Sequence, residues 1–172
     1  SALREKLVAL HPDLEILLIA ADLSSDVGRE ATLIAAKSLP GGVNLLINNA
    51  GVSDFHAFAS QPMDTVESLI TTNLLSPILL CQKFLPLLQA QSNGQIVNIG
   101  SVFGDIGYPG FAAYCATKSG LRGFTQALRR ELSDSRVRVR YFAPRATRTG
   151  INSSAVDQMN AALKTQADEP KV

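Results

Sequence analysis

Tyr114 and Lys118 stand four residues apart in a stretch with helical patterning, so both side chains belong to one helix face. A free tyrosine titrates near ~10, too high for a good acid or base at neutral pH. A nearby ammonium favours the phenolate and lowers that value, so the pair can serve as a general acid. Alone the spacing says little, because Tyr-x-x-x-Lys is common on solvated helices. Ser101 lies thirteen residues before Tyr114, at the end of an apolar stretch. A hydroxyl there can polarise a carbonyl held above a sheet, or simply cap a turn. No Gly-x-Ser-x-Gly pattern surrounds it and no histidine is suitably placed, which argues against a hydrolase nucleophile.

Asn48-Asn49-Ala50-Gly51 closes another apolar stretch. Small residues there let a flat ring approach the backbone, and asparagine amides can tie strand ends together; a plain turn is the alternative. Asn73 falls inside a long helical pattern, where asparagine is a poor helix former, and Pro77 follows four residues on. Proline has no N–H, so the Asn73 carbonyl loses its helical partner and needs another donor, most simply a water. Such a water can link this helix to Lys118; a kink with a solvated carbonyl is the bland reading.

The elements that must position these residues alternate. Strands are expected at residues 14–20, 43–47, 95–100 and 137–142. Helices are expected at 26–38, 63–91 and 111–132, with a further one at 154–165. Near-continuous apolar strands separated by helices imply a parallel sheet covered on both faces, a doubly wound α/β fold in one domain spanning 1–172. Ligands in such sheets bind outside the carboxyl ends of the strands, where every polar motif above falls.

Composition agrees with an ordinary globular chain of 172 residues with net charge +1. The cluster Arg129, Arg130, Arg136, Arg138 and Arg140 reads as a solvated helix end and an exposed strand side, so no nucleic-acid partner is expected. Cys81 and Cys115 sit in apolar stretches without metal-ligand spacing, and His11 and His56 are scattered. Inert thiols, no metal and a cytoplasmic setting follow as expectations. Pro77, Gln82, Lys83 and Pro86 interrupt the longest apolar run, against a membrane span. Residues 1–6 open as amphipathic helix rather than as a signal peptide.

Taken together, Asp22, Asn48-Asn49-Ala50-Gly51, Asn73, Ser101 and Tyr114-x-x-x-Lys118 resemble the short-chain dehydrogenase/reductase family in order and spacing, over nearly the whole chain. The resemblance implies an oxidoreductase that moves a hydride between NAD or NADP and a carbonyl or secondary alcohol. Tyr114 would be its acid/base, and Ser101 would hydrogen-bond the substrate oxygen. Lys118 would lower the Tyr114 pKa and hold the nicotinamide ribose. Asn73 would hold a relay water through its backbone. Asp22 would contact the adenine, Asn48, Ala50 and Gly51 would line the cofactor pocket, and Thr147 and Thr149 would meet the carboxamide. In this family the two long helices pair across a two-fold axis, so a homo-oligomer through 63–91 and 111–132 is expected.

The chain departs from the family in places. Pro144-Arg145 replaces the usual Pro-Gly. The opening strand, Gly-x-x-x-Gly-x-Gly turn and helix that cradle a pyrophosphate are not found, nor are the second strand and the last strand. In the family's strand order, residues 14–20 and 43–47 would be separated by two missing strands, a gap of about 14 Å. An inactive 172-residue chain, part of a longer active protein, is therefore expected. A non-catalytic dinucleotide sensor or interaction module on the same fold is the other reading, and an intact proton relay argues against it. Val102, Phe103, Ile106, Tyr108 and Phe111, with Ile151, Val156 and Met159, hint at an apolar or bulky substrate, unless they only pack on one another.

Overall fold

The structure, a computed structural model, describes residues 2–13 and 15–144. Three strands, β1 (Leu45–Asn48), β2 (Gln95–Ile99) and β3 (Arg138–Phe142), form a parallel sheet in the order β1-β2-β3. Helix α1 is Ala2–Leu10 and α2 is Asp26–Lys37, the latter capped by Ser25, whose hydroxyl accepts from the Gly28 N–H at 3.0 Å. The crossover from β1 to β2 is α3 (Met63–Ile70), a π turn (Thr71–Leu75) and α4 (Ser76–Gln89) in unbroken succession; α5 (Ala112–Glu131) joins β2 to β3.

Register decides which side chains share a face. Leu46, Ile96 and Val139 stand abreast, as do Asn48, Asn98 and Tyr141. Against this face α2 places Leu33 and Ala36, and α4 places Leu80, Cys81, Phe84 and Leu88, while Phe124 and Leu128 of α5 close the layer. At ~1.5–3 kcal/mol per fully buried large apolar side chain, this single cluster is the chief source of stability. The helical run Met63–Gln89, whose mean hydropathy of 1.2 reaches the range that can cross a membrane, is in this fold the central helix of the core.

The helices expected at 26–38, 63–91 and 111–132 and the last three strands form within a few residues of their expected bounds. Two expectations fail. Residues 15–20 make no strand: Leu17, Leu18 and Ile19 are 52%, 57% and 42% exposed. An apolar run becomes a strand only when another strand takes its N–H and C=O groups, and none of β1, β2 or β3 does so here. The sheet is also covered on one face rather than two among the described residues: Leu45, Ile47 and Phe142 on the opposite face are all exposed. On the two long helices expected to carry the oligomer, Leu80, Phe84 and Leu88 belong to the core, and Leu87, Phe124 and Leu128 pack against it. The expected helix at 154–165, together with Arg145, Thr147, Thr149, Ile151, Val156 and Met159, lies outside the described residues.

Candidate active site

Pro77 shapes the site from a distance. With no N–H at residue 77 the Asn73 carbonyl has no donor one turn on, and the helix widens there: the Ser76 N–H reaches back five residues to the Thr71 carbonyl. Asn73 turns fully inward in this π turn, at 0% exposure. Its amide grips the backbone just past Gly51, accepting from the Val52 N–H at 2.9 Å and donating to the Val52 carbonyl at 2.8 Å. The loop after β1 is thereby fastened to the helix that crosses above it.

The first turns of α5 carry the acid/base candidates. Tyr114 is 9% exposed, and its ring meets Phe103 edge-on at 6.2 Å and Phe111 at 6.0 Å. One turn on, the buried Lys118 ammonium lies 5.7 Å from the Tyr114 ring centroid and donates to the Ile99 carbonyl at 3.1 Å, beside the end of β2. Ser101, two residues further, accepts from the Phe103 N–H at 3.2 Å, and its hydroxyl is close enough to the Tyr114 phenol to act on its pKa. The serine thus caps the turn that begins at Val102. Ser101, Tyr114 and Lys118 converge at the carboxyl edge of the sheet.

Electrostatics at this edge are governed by desolvation. Burial pushes the Tyr114 phenol above its ordinary value, with the Ser101 hydrogen bond pulling the other way. Burial pushes Lys118 down to about 8. The lowered Tyr114 pKa expected from Lys118 is therefore not found: burial raises it, and the opposing pull comes from Ser101 rather than from the ammonium. Cys81 is pushed up to about 11 by burial among Asn48 and Asn98, which leaves it an inert thiol.

Other expected site residues fall in three places. Gly51 is beside the catalytic candidates: a Cβ there would stand 3.2 Å from Asn73 Oδ1 and 3.7 Å from Lys118 Nζ, so the missing side chain leaves the ammonium approachable. Asn48 is buried at the end of β1; its amide donates to Asn98 Oδ1 at 2.8 Å, and Asn98 donates to Thr125 at 2.9 Å, tying β1, β2 and α5 together inside the protein. Ala50 is exposed just past β1. Asp22 sits before α2, its Oδ1 accepting from the Ser24 N–H at 2.9 Å and hydroxyl at 2.7 Å, and these bonds lower its pKa. Arg29 and Ser76, neither singled out from the sequence, hold this loop: Arg29 donates to the Leu23 and Ser24 carbonyls at 2.8 Å and Ser76 to the Leu23 carbonyl at 2.6 Å.

These residues fit a nicotinamide dinucleotide. Lys118 uses one N–H on Ile99, leaving two donors for a pair of ribose hydroxyls on the side that Gly51 keeps open. Asp22, exposed, has its second carboxylate oxygen for an adenosine donor.

Comparison with known proteins agrees. The family model described as short chain dehydrogenase matches residues 2–160. The chain is 36% identical over 151 residues to a 2,3-dihydroxy-2,3-dihydro-p-cumate dehydrogenase of Pseudomonas putida, covering 88% of this chain and 58% of that protein. It is 31% identical to the 3-oxoacyl-acyl-carrier-protein reductase of Vibrio cholerae, covering 86% and 61%. The chain thus spans less than two thirds of these curated relatives. Among solved structures, a bulky-bulky ketone specific alcohol dehydrogenase from Comamonas testosteroni superposes with a TM-score of 0.78 at 28% identity, over 96% of this chain and 67% of that one. A gluconate 5-dehydrogenase from Burkholderia cenocepacia, in complex with NADP and tartrate, gives 0.73 at 25% identity over 79% and 53%. With its catalytic candidates gathered at one sheet edge and the family model matched over most of its length, the chain belongs to the short-chain dehydrogenase/reductase family.

Proposed function

We propose that the protein is an NAD- or NADP-dependent oxidoreductase acting on a carbonyl or secondary alcohol, with Tyr114 as the acid/base. The observation that carries this reading is Tyr114 itself: a buried phenol whose pKa responds to the neighbouring Ser101 hydroxyl, with the Lys118 ammonium 5.7 Å from its ring centroid. The nicotinamide, when bound, supplies or accepts the hydride. Tyr114 donates a proton to the carbonyl oxygen in reduction and takes it back in oxidation. Ser101 hydrogen-bonds the same oxygen and steadies the charge that develops on it. Lys118 holds the ribose with its free donors and favours the phenolate electrostatically. Asn73 keeps Gly51 in place through Val52 and, through its backbone carbonyl, holds a water leading to Lys118. Asp22 holds the adenosine end, and Thr147 and Thr149 the carboxamide.

The substrate in this reading is apolar or bulky. Phe103, Tyr108 and Phe111 pack on one another with ring centroids 5.0 to 6.1 Å apart, so they serve first as a wall for Tyr114, while Val102 and Ile106 stay exposed beside it. A homo-oligomer in a cytoplasmic setting completes the reading. Its interface is the apolar groove of Phe58, Val66, Ile70, Leu74, Ala112 and Ala116 along the two long helices. The 172-residue chain alone, which contains no Gly-x-x-x-Gly-x-Gly turn, is expected to bind no dinucleotide in the micromolar range.

Tyr114→Phe tests the assignment. Loss of ~10²–10⁴-fold in turnover with cofactor binding kept is expected, the usual worth of general acid–base catalysis. Near-normal turnover would remove Tyr114 from the mechanism.

A further inference from the structure

We propose that Tyr141 is a positioning residue of the active site, its hydroxyl clamping the backbone of Ser101 to the helix that carries Lys118. The proposal rests on the reading of Ser101 and Tyr114 given above. Tyr141 lies on β3 abreast of Asn98 and points toward α5. Its hydroxyl accepts from the Ser101 N–H at 3.2 Å, and the Ser101 and Lys118 carbonyls lie 3.3 and 3.5 Å away as acceptors for its proton. The β2–β3 ladder ends one residue earlier, at the Gly100 N–H to Phe142 carbonyl bond of 2.7 Å. Ser101 is thus the first residue beyond the sheet, and Tyr141 takes over where the ladder stops.

Two glycines make the room. A Cβ at Gly100 would come within 1.9 Å of Tyr141 Cζ, and one at Gly104 within 2.4 Å of its hydroxyl oxygen. Both contacts lie far inside van der Waals distance, so this ring position requires glycine on both sides of the Ser101 turn. Burial pushes the Tyr141 phenol up, so it keeps its proton across the range in which the enzyme would work. A half-buried ring flanked by two glycines holds Ser101 with little freedom, and the Ser101 hydroxyl in turn pulls the Tyr114 pKa down against burial. Without the clamp, the Gly104 end of the turn stays tied to α5 through the Ser119 hydroxyl at 3.1 Å, while the Ser101 end keeps only local bonds.

Tyr141→Phe keeps the ring and removes the hydroxyl. In the full protein it is expected to lower kcat about 3- to 10-fold, the range for one lost neutral hydrogen bond, with cofactor affinity unchanged. In the ligand-free protein, ring-labelled tyrosine NMR is expected to show the Tyr114 titration midpoint moved upward, because Ser101 then supports the phenolate less well. Both effects are expected to vanish in a Ser101→Ala background, since the hydroxyl acts through Ser101. Thermal melting of each variant identifies any that fails to fold. Wild-type kcat and titration in Tyr141→Phe, or effects that persist undiminished beside Ser101→Ala, would overturn the proposal. If Ser101→Ala and Tyr114→Phe themselves turn over normally, the reading of the site falls and this proposal with it.

Discussion

Lys118 is a charge held where charge is costly, and replacing it by methionine is expected to stabilise the ligand-free protein while abolishing turnover. Its side chain is 5% exposed overall, and burial lowers its pKa from 10.5 to about 8. At about 1.4 kcal/mol per pH unit, that difference amounts to roughly 3 kcal/mol of destabilisation while the amine is charged. Against this stands the bond to the Ile99 carbonyl, which removal forfeits at a cost of about 1.5–3 kcal/mol for a charged donor. The balance at pH 7 favours Lys118→Met by about 1 kcal/mol. Its pH dependence is the sharper signature. The folded pKa is depressed, so between about 8 and 10.5 the unfolded chain holds more protons than the folded one, and wild-type stability rises with pH there. Methionine does not titrate. Urea unfolding of both proteins is expected to show wild type gaining about 2 kcal/mol on the variant between pH 8 and pH 10. A flat difference, or one of opposite sign, would refute the argument that desolvation governs this site.

Asn73→Ala leaves the Val52 N–H and carbonyl without partners, and a loss of about 3 kcal/mol in urea unfolding is expected; a loss under 1 kcal/mol would show that the π turn does not hold the Gly51 loop. Ala116→Glu puts a charge on the groove along α5, and light scattering is expected to show the oligomer dissociating with the fold retained; an unchanged mass would move the interface elsewhere. Titrating the 172-residue chain with NADH and NADPH is expected to give no micromolar binding, and either nucleotide binding there would contradict that expectation.

The i, i+4 spacing of Tyr114 and Lys118 was readable because a helix fixes its own neighbours; nothing beyond α5 is needed to place them on one face. Pro77 likewise announces a disturbed helix, although the sequence does not say that the disturbance is a π turn or that Asn73 points inward to hold Val52. Residues 15–20 show the opposite case. Their apolar character is real, but strand formation depends on a partner that local sequence does not specify. The same holds for the sheet face bearing Leu45 and Ile47, apolar by composition and exposed in the fold. Tyr141 was missed because its importance lies in register: only the pairing of β2 with β3 brings it beneath Gly100 and Gly104. The one advance sign was the pair of glycines flanking Ser101. The Tyr114 pKa was misjudged for a related reason, since i, i+4 spacing reports proximity to Lys118 but not the depth at which both are buried.

The central claim is that this protein moves a hydride, and isotope transfer tests it without reference to any single residue. The full protein is incubated with NADH or NADPH deuterated at nicotinamide C4 and a bulky apolar ketone, and the alcohol is analysed by mass spectrometry. Deuterium on the carbinol carbon, formed by wild type and not by Tyr114→Phe, is the predicted result. Tight binding of the nucleotide with no labelled alcohol from a broad panel of ketones would contradict the account and favour a dinucleotide sensor.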